Sequence, residues 1–317
     1  MNSPLILAVP SKGRLKEQVD SWLSDSNLSL SVSGGDRGYA AELKGVAGIS
    51  VRLLSPGDIA EALEAGEVHL GVTGEDLLRE RGPNIDQNVL LLQALGFGRA
   101  DLVVATPKSW LDVDTMADLE EVAHDMLART GRRMRVATKY LVQTRAFFAR
   151  YGLSDYRIAE SAGATEGAPA AGSAEIVVDI TTTGATLQAN GLKILRDGVI
   201  LKSQAQLAAS HIAVWTQTQM AAAESLMRIL EARAFAHASA TLIWPQQAGD
   251  DDLVSQFEPS GTSRRPNGLL VPKERVAEIS MALTGAGRGP VTVSRPDFVF
   301  ESQSPGAELL RAHCRIN

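Results

Sequence analysis

The chain has 317 residues, enough for about two domains and a sizeable core. Hydrophobic residues make up 44% and charged residues 21%, which excludes disorder, collagen and coiled coil as the main state. Lys and Arg number 31 against 37 Asp and Glu, a net charge of −6, so no basic excess exists to neutralise nucleic-acid phosphates.

The first predicted element is a buried strand over residues 5–9, followed by Pro10-Ser-Lys-Gly-Arg14 and then a helix. Short apolar runs follow at 49–54, 70–72, 102–105, 135–137 and 175–180. Helical patterns lie between them at 58–65, 144–151 and 186–192. Such alternation predicts a mostly parallel α/β architecture with helices on both faces. Ligands in such sheets sit at the carboxyl ends of strands. From Ser203 to about Ala234 the pattern reads as helical, through Gln204, Leu207, Ile212, Trp215, Met220, Leu226 and Ile229. A strand over 240–244, a polar loop over 246–267, a helix over 273–283 and a strand over 291–300 follow. The chain beyond about residue 232 reads as a separate small α+β module.

Other chemistries are scarce. The single Cys314 excludes an intrachain disulfide and a cysteine-based zinc site. His69, His124, His211, His237 and His313 have no metal-binding spacing and read as surface or core histidines. The apolar run at 5–9 lacks a basic flank and is too short for a signal peptide. No stretch approaches the roughly 20 apolar residues that span a bilayer. A soluble, cytoplasmic protein with no membrane and no nucleic-acid partner is expected.

Four motifs carry candidate chemistry. In Ile176-Val-Val-Asp-Ile-Thr-Thr-Thr-Gly-Ala-Thr-Leu187 a strand ends at Asp179 and a Thr/Gly loop opens a helix. Gly184 lets backbone N–H groups curl toward an anion, and the helix start adds free donors. Thr181, Thr182, Thr183 and Thr186 offer hydroxyls, and Asp179 can accept from ribose hydroxyls. A Thr-capped turn beside a solvated Asp fits the same residues. Lys12 and Arg14, flanking Gly13, place two cations at a strand's end, where they suit a pyrophosphate or triphosphate; a basic turn capping a helix is the alternative. In Gly71-Val-Thr-Gly-Glu-Asp-Leu77, Glu75 and Asp76 are either ligand contacts or first-turn residues favoured by the helix dipole. Glu166 is the one carboxylate of the small-residue loop 161–169, and mere solvation would also account for it.

Together the segments LAVPSKGRL, SPGDIAEALEAGEVHLGVTGEDLL, LGFGRADLVVATP, RVATKYLVQTRAFFARYGL and ATEGAP…VVDITTTGATLQANGLKIL resemble ATP phosphoribosyltransferases over about residues 5–215. Leu141 and Glu175 depart from the Pro and Asp common at those places, and residues 232–317 diverge further, showing one or two helices and about three strands where the family's long form has six elements. The resemblance implies a two-lobed catalytic body of periplasmic-binding-protein type II topology, with the site in the cleft. It implies Mg²⁺-dependent pentosyl transfer from phosphoribosyl pyrophosphate (PRPP) to N1 of ATP, the first step of histidine biosynthesis. By resemblance, Thr181, Thr182, Thr183, Gly184, Ala185 and Thr186 hold the PRPP 5-phosphate and Asp179 contacts its ribose. Lys12, Arg14, Thr73, Gly74 and Asp76 serve ATP. Lys12, Arg14, Glu166 and Asp179 are the catalytic candidates, and Glu166 and Asp179 are the carboxylates nearest an indirectly held metal.

The implied domains are 1–104 with 186–231 for one lobe, 105–185 for the other, and a C-terminal module at 232–317. In the long form of the family that module is ferredoxin-like and binds L-histidine, and the chains assemble as dimers or hexamers. A two-lobed cytoplasmic small-molecule binding or sensing protein without catalysis is the competing expectation. It gives no reason to keep Lys12, Arg14, Asp179 and the Thr loop together.

Overall fold

The computed structural model describes residues 3–32, 40–161, 163–258 and 261–316. Ala162 of the small-residue loop, and Pro259 and Ser260 of the polar loop, lie outside the described residues.

The first third of the chain builds one sheet with its covering helices. In order these are β1 (Leu5–Pro10), α1 (Gly13–Asp25), β2 (Ser29–Val32), β3 (Ala40–Lys44), β4 (Ile49–Leu54), α2 (Pro56–Ala65), β5 (Leu70–Gly74), α3 (Glu75–Glu80), α4 (Ile85–Asn88) and β6 (Val89–Ala94). The middle of the chain builds a second sheet from β7 (Ala100–Pro107), α5 (Met116–Thr130), β8 (Met134–Thr138), α6 (Leu141–Arg150), β9 (Tyr156–Glu160), β10 (Ile176–Thr181), α7 (Ala185–Ala189) and β11 (Leu192–Ser203). The chain then returns through β12 (Ala205–Ser210) and the long α8 (Gln217–Ala238).

Local chemistry explains the ends of these elements. Ser55 caps α2 by accepting from the Asp58 N–H, Pro56 opens the helix, and Gly66 closes it in the left-handed conformation. Thr115 and Asp118 form a reciprocal capping box on α5.

The two sheets share one plan. In the first, of order β2-β3-β4-β1-β5-β12-β6, the parallel trio β4-β1-β5 is followed by an antiparallel β12 and then β6. In the second, of order β11-β7-β10-β8-β9, the parallel trio β9-β8-β10 is followed by an antiparallel β7 and then β11. The strand that enters each sheet after a crossover thus takes the same place in both. The crossovers run side by side: Leu95 N–H donates to the Ala205 carbonyl and Ala205 N–H to the Phe97 carbonyl, each at 3.0 Å. This is the two-lobed α/β body expected from the sequence.

The sheets divide the chain elsewhere than at residues 104 and 186. All of β7 and all of β11 pair in the second sheet, so the crossings lie at 95–99 and at Gln204. Nor is 204–210 helical. β12 is buried along its whole length between β5 and β6, and that pairing overrides the helical leaning of an Ala-rich run.

Beyond α8 come β13 (Ser239–Ile243), α9 (Asp250–Ser255), β14 (Ser263–Arg265), β15 (Gly268–Pro272), α10 (Val276–Gly285) and β16 (Thr292–Ser294). Their antiparallel sheet has the order β14-β15-β13-β16. A βαββαβ chain in that order is the ferredoxin-like arrangement. The stretch read as a polar loop holds α9 and β14, and only residues 292–294 of the strand expected at 291–300 join the ladder. The module does not keep the whole tail. α11 (Pro305–His313) folds back on α8, and Leu310 and Cys314 enter the same core as Leu5, Leu7 and Trp215.

Candidate active site

A cleft of about 520 Å³ opens where the two sheets meet. Arg14 of α1 and Asp76 of α3 line one side, Ile180 and Thr182 the other, and the crossover residues Gly96–Arg99 lie between them. The topology therefore brings together three motifs that lie far apart in sequence. Arg14 is exposed and meets no carboxylate within 4 Å among the described residues. Lys12 is the residue before α1, held in extended conformation and exposed just beyond the cleft lining. A second cavity of about 590 Å³, between α8 and residues 299–305, holds none of the phosphate or ribose motifs.

Asp76 is buried, and both of its oxygens are taken. The Tyr140 hydroxyl donates to Oδ2 at 2.7 Å and the Ser203 hydroxyl to Oδ1 at 2.8 Å. Gln143 Nε2 donates to the Asp76 carbonyl at 2.9 Å. Glu80 of α3 accepts from the backbone N–H groups of Val142 at 2.8 Å and Gln143 at 3.2 Å, so one lobe caps a helix of the other. Burial and the nearby carboxylates of Asp76, Asp179 and Glu80 push the Tyr140 phenol far up, so it stays a donor. Gly74 fits the same arrangement, because a Cβ there would stand 2.3 Å from the pinned Asp76 Oδ1. Thr73 does not face the cleft. It is fully buried and its hydroxyl donates to the Pro56 carbonyl at 2.7 Å.

The Thr loop leaves the end of β10. Thr181 Oγ1 accepts from the Gly184 N–H at 2.8 Å, and Thr182 Oγ1 donates to the Arg99 carbonyl at 3.2 Å. Thr183 Oγ1 accepts from the Ala185 N–H at 3.4 Å, and Ala185 and Thr186 begin α7. Gly184 has φ +77, a left-handed conformation that L side chains rarely adopt, while a Cβ would find ordinary contact at 3.7 Å from Ile194. Conformation, not space, explains this glycine. Burial raises the Asp179 carboxyl, and the charge of Glu166 raises it further; the Ile180 N–H and Lys139 pull the other way. Asp179 thus feels both Lys139, just past the end of the neighbouring strand β8, and Glu166 of the turn 165–167.

Arg99, Lys139, Tyr140, Gln143, Glu80 and Ser203 were not singled out from the sequence. Arg99 and the Lys139-Tyr140 pair lie within segments quoted for the family resemblance, which was the available signal. Among the described residues no group of three or more His, Cys, Asp or Glu side chains could hold a metal ion. His69 is a core histidine. Its Nδ1 accepts from the Ile6 N–H at 3.1 Å, which leaves Nε2 to donate to the Val214 carbonyl at 3.2 Å, and burial lowers its pKa.

Comparison with known proteins agrees with this geometry. The family model described as "HisG: ATP phosphoribosyltransferase" matches residues 55–232. An ATP phosphoribosyltransferase of Caulobacter vibrioides is 63% identical over 306 residues, covering 96% of both chains. The chain belongs to the ATP phosphoribosyltransferase family. It is accordingly a transferase, and no helix among its described residues is long and apolar enough to cross a membrane. A family member of Bradyrhizobium is 45% identical over 324 residues, covering 99% of this chain and all of its own. Among solved structures, the ATP phosphoribosyl transferase (HisG:HisZ) complex of Thermotoga maritima aligns with a TM-score of 0.53 and 25% identity, over 72% of this chain and 96% of that one.

Proposed function

We propose that this chain is a cytoplasmic enzyme that transfers the phosphoribosyl group of PRPP to N1 of the ATP adenine and releases pyrophosphate, opening histidine biosynthesis. The observation that carries the reading is the cleft itself, where Arg14 and the pinned Asp76 of one lobe face Thr182 of the other. We assign the lobes to residues up to 94 with 205–238, and 100–203.

In the reaction the C1–N1 bond forms as the bond from C1 to the pyrophosphate oxygen breaks, and the leaving group departs with that electron pair. The ring nitrogen attacks with its own lone pair, so no side chain is needed as a base. The Thr181–Thr186 loop holds the 5-phosphate and Asp179 orients the ribose hydroxyls. Arg14, with Lys12 beside it, meets charge that grows on the departing oxygens, the kind of stabilisation that acts on the transition state more than on bound substrate. Asp76 positions the nucleotide side of the cleft while Tyr140 and Ser203 hold its carboxylate still.

Glu166 and Asp179, whose charges already act on one another, are the carboxylates that would hold a magnesium ion, indirectly, as carboxylates commonly do for this hard cation. When bound there, Mg²⁺ would supply neutralisation of pyrophosphate charge. The ferredoxin-like module supports a regulatory role with L-histidine as effector and a homo-oligomeric assembly, a dimer or hexamer.

The test is pyrophosphate release by purified protein supplied with PRPP, ATP and Mg²⁺. Release that requires all three supports the transferase; binding of either substrate with no release favours a sensing protein.

A further inference from the structure

At the edge of the second sheet opposite the cleft, a small concavity of about 280 Å³ is lined by Arg132, Arg133, Arg135, Arg157 and Glu175. Three strands converge there by their amino ends. Arg135 and Arg157 are register partners on the parallel β8 and β9, and Glu175 immediately precedes β10. Arg132 and Arg133 come from the turn that closes α5.

Among the described residues, a carboxylate answers one of the four cations. Arg135 Nη2 donates to Glu175 Oε1 at 2.6 Å, and the Arg135 backbone N–H donates to Oε2 at the same distance. Among the described residues, Arg132, Arg133 and Arg157 meet no carboxylate within 4 Å. All three are exposed around the one concavity, so their guanidinium donors stay open to an anion from solution. Arginine at the end of α5 would complement the helix dipole, but that effect is confined to the last turn. It does not reach Arg135 and Arg157, which stand on strands.

We propose that this concavity is a second, non-catalytic site for a small phosphate-type oxyanion, of the phosphate or pyrophosphate class. Guanidinium groups pair with phosphate oxygens through parallel hydrogen bonds, and several converging on one cavity are the common recipe for such recognition. The volume falls just under the roughly 300–1,000 Å³ of pockets that enclose drug-sized ligands, so a compact anion suits it better than a whole nucleotide. The Arg135–Glu175 pair fixes the floor: Glu175 removes one positive charge and holds one guanidinium in place, leaving three to bind. A free oligophosphate and the phosphate tail of a nucleotide would make the same contacts.

The test is titration calorimetry of the full chain with inorganic pyrophosphate, comparing wild type, an Arg132→Gln/Arg157→Gln double variant, and Arg129→Gln. Arg129 is the control for general electrostatics, since it is exposed and already paired with Asp125 at 2.8 Å. Wild type and Arg129→Gln should each bind one pyrophosphate per chain more than the double variant, or bind it at least tenfold more tightly at that site. Equal binding by all three, or an equal loss in Arg129→Gln, overturns the proposal. ADP titrated in parallel separates the sources: loss of both ligands in the double variant supports a site for nucleotide tails, and loss of pyrophosphate alone supports the free anion. If near-ultraviolet circular dichroism shows the double variant misfolded, Arg133→Gln repeats the comparison. The measurement needs no turnover, so its failure leaves the transferase reading untouched.

Discussion

The Tyr140 hydroxyl donates to Asp76 Oδ2 at 2.7 Å, joining the loop after β8 of one lobe to the first turn of α3 in the other. Both residues are buried, at 1% and 6% exposure, so neither can exchange this partner for water. Tyr140→Phe keeps the ring and removes the donor. Leaving a buried carboxylate oxygen short of a partner costs about 1–3 kcal/mol, more for a charged group. Urea unfolding should show a loss of that size, and a midpoint unchanged from wild type would refute the clasp.

This clasp also marks the limit of what the sequence discloses. The motif holding Asp76 is legible because strand, Gly74 and helix start are contiguous. Tyr140 is 64 residues away and looks like an ordinary aromatic beside a helix; only the topology brings its hydroxyl to Asp76. Strands such as 49–54 were legible because their apolar residues run unbroken or alternate, which is a local property. β12 was not, since Ala-Gln-Leu-Ala-Ala-Ser carries no strand signal and its burial comes from β5 and β6. α9 was hidden for another reason: six residues that open with three aspartates gain dipole stabilisation but display no apolar period.

Gly184 gives a prediction that separates conformation from space. Its φ of +77 disfavours a β-branched residue, while a Cβ itself would meet nothing closer than 3.7 Å. Gly184→Val should weaken PRPP binding tenfold or more, about 1.4 kcal/mol. Gly184→Asn, which tolerates the left-handed region, should retain most of it. Equal loss in both variants would assign the defect to space instead.

Arg14 faces the cleft without a protein counter-charge among the described residues, so its guanidinium is available for oxygens that gain charge during reaction. Arg14→Ala should lower kcat more than it raises the KM for ATP. Steady-state kinetics in which only KM moves would make the contact one of uniform binding.

Glu175 predicts part of the acid behaviour. Burial alone would raise its carboxyl, but the hydrogen bonds from Arg135 side chain and backbone, with the charges of Arg135 and Arg132, outweigh that and hold it below the ordinary 4.5. A carboxyl depressed in the folded state stabilises the chain above its unfolded value and loses that contribution as pH falls through the folded one. Wild type should therefore lose stability below about pH 4.5 more steeply than Glu175→Gln, which no longer titrates there. Parallel stability curves for the two proteins between pH 5 and 3 would exclude the linkage.

Leu310 predicts that the tail cannot simply be cut away. A chain cut near Arg233 would look safe from the order of motifs, since every phosphate or ribose motif lies before residue 200. Yet α8 continues to Ala238, and α11 packs against it with Leu310 at 0% exposure in the core shared with Leu5, Leu7 and Trp215. Glu231 of α8 reinforces the contact by accepting from the Gly306 N–H at 2.6 Å and the Ser304 hydroxyl at 2.5 Å. Leu310→Ala should destabilise the protein by about 2–5 kcal/mol, the usual cost of a large-to-small change in a packed core. Truncation at Arg233 should do worse, because it removes Leu310 and Cys314 together and exposes the face of α8 that they cover. Thermal unfolding of the three chains orders them as wild type, Leu310→Ala, truncation. A truncated chain as stable as wild type would mean that α11 is an accessory to the lobe rather than part of its core. For the same reason, calorimetry with L-histidine belongs on the full chain, where loss of binding cannot be confused with loss of the fold.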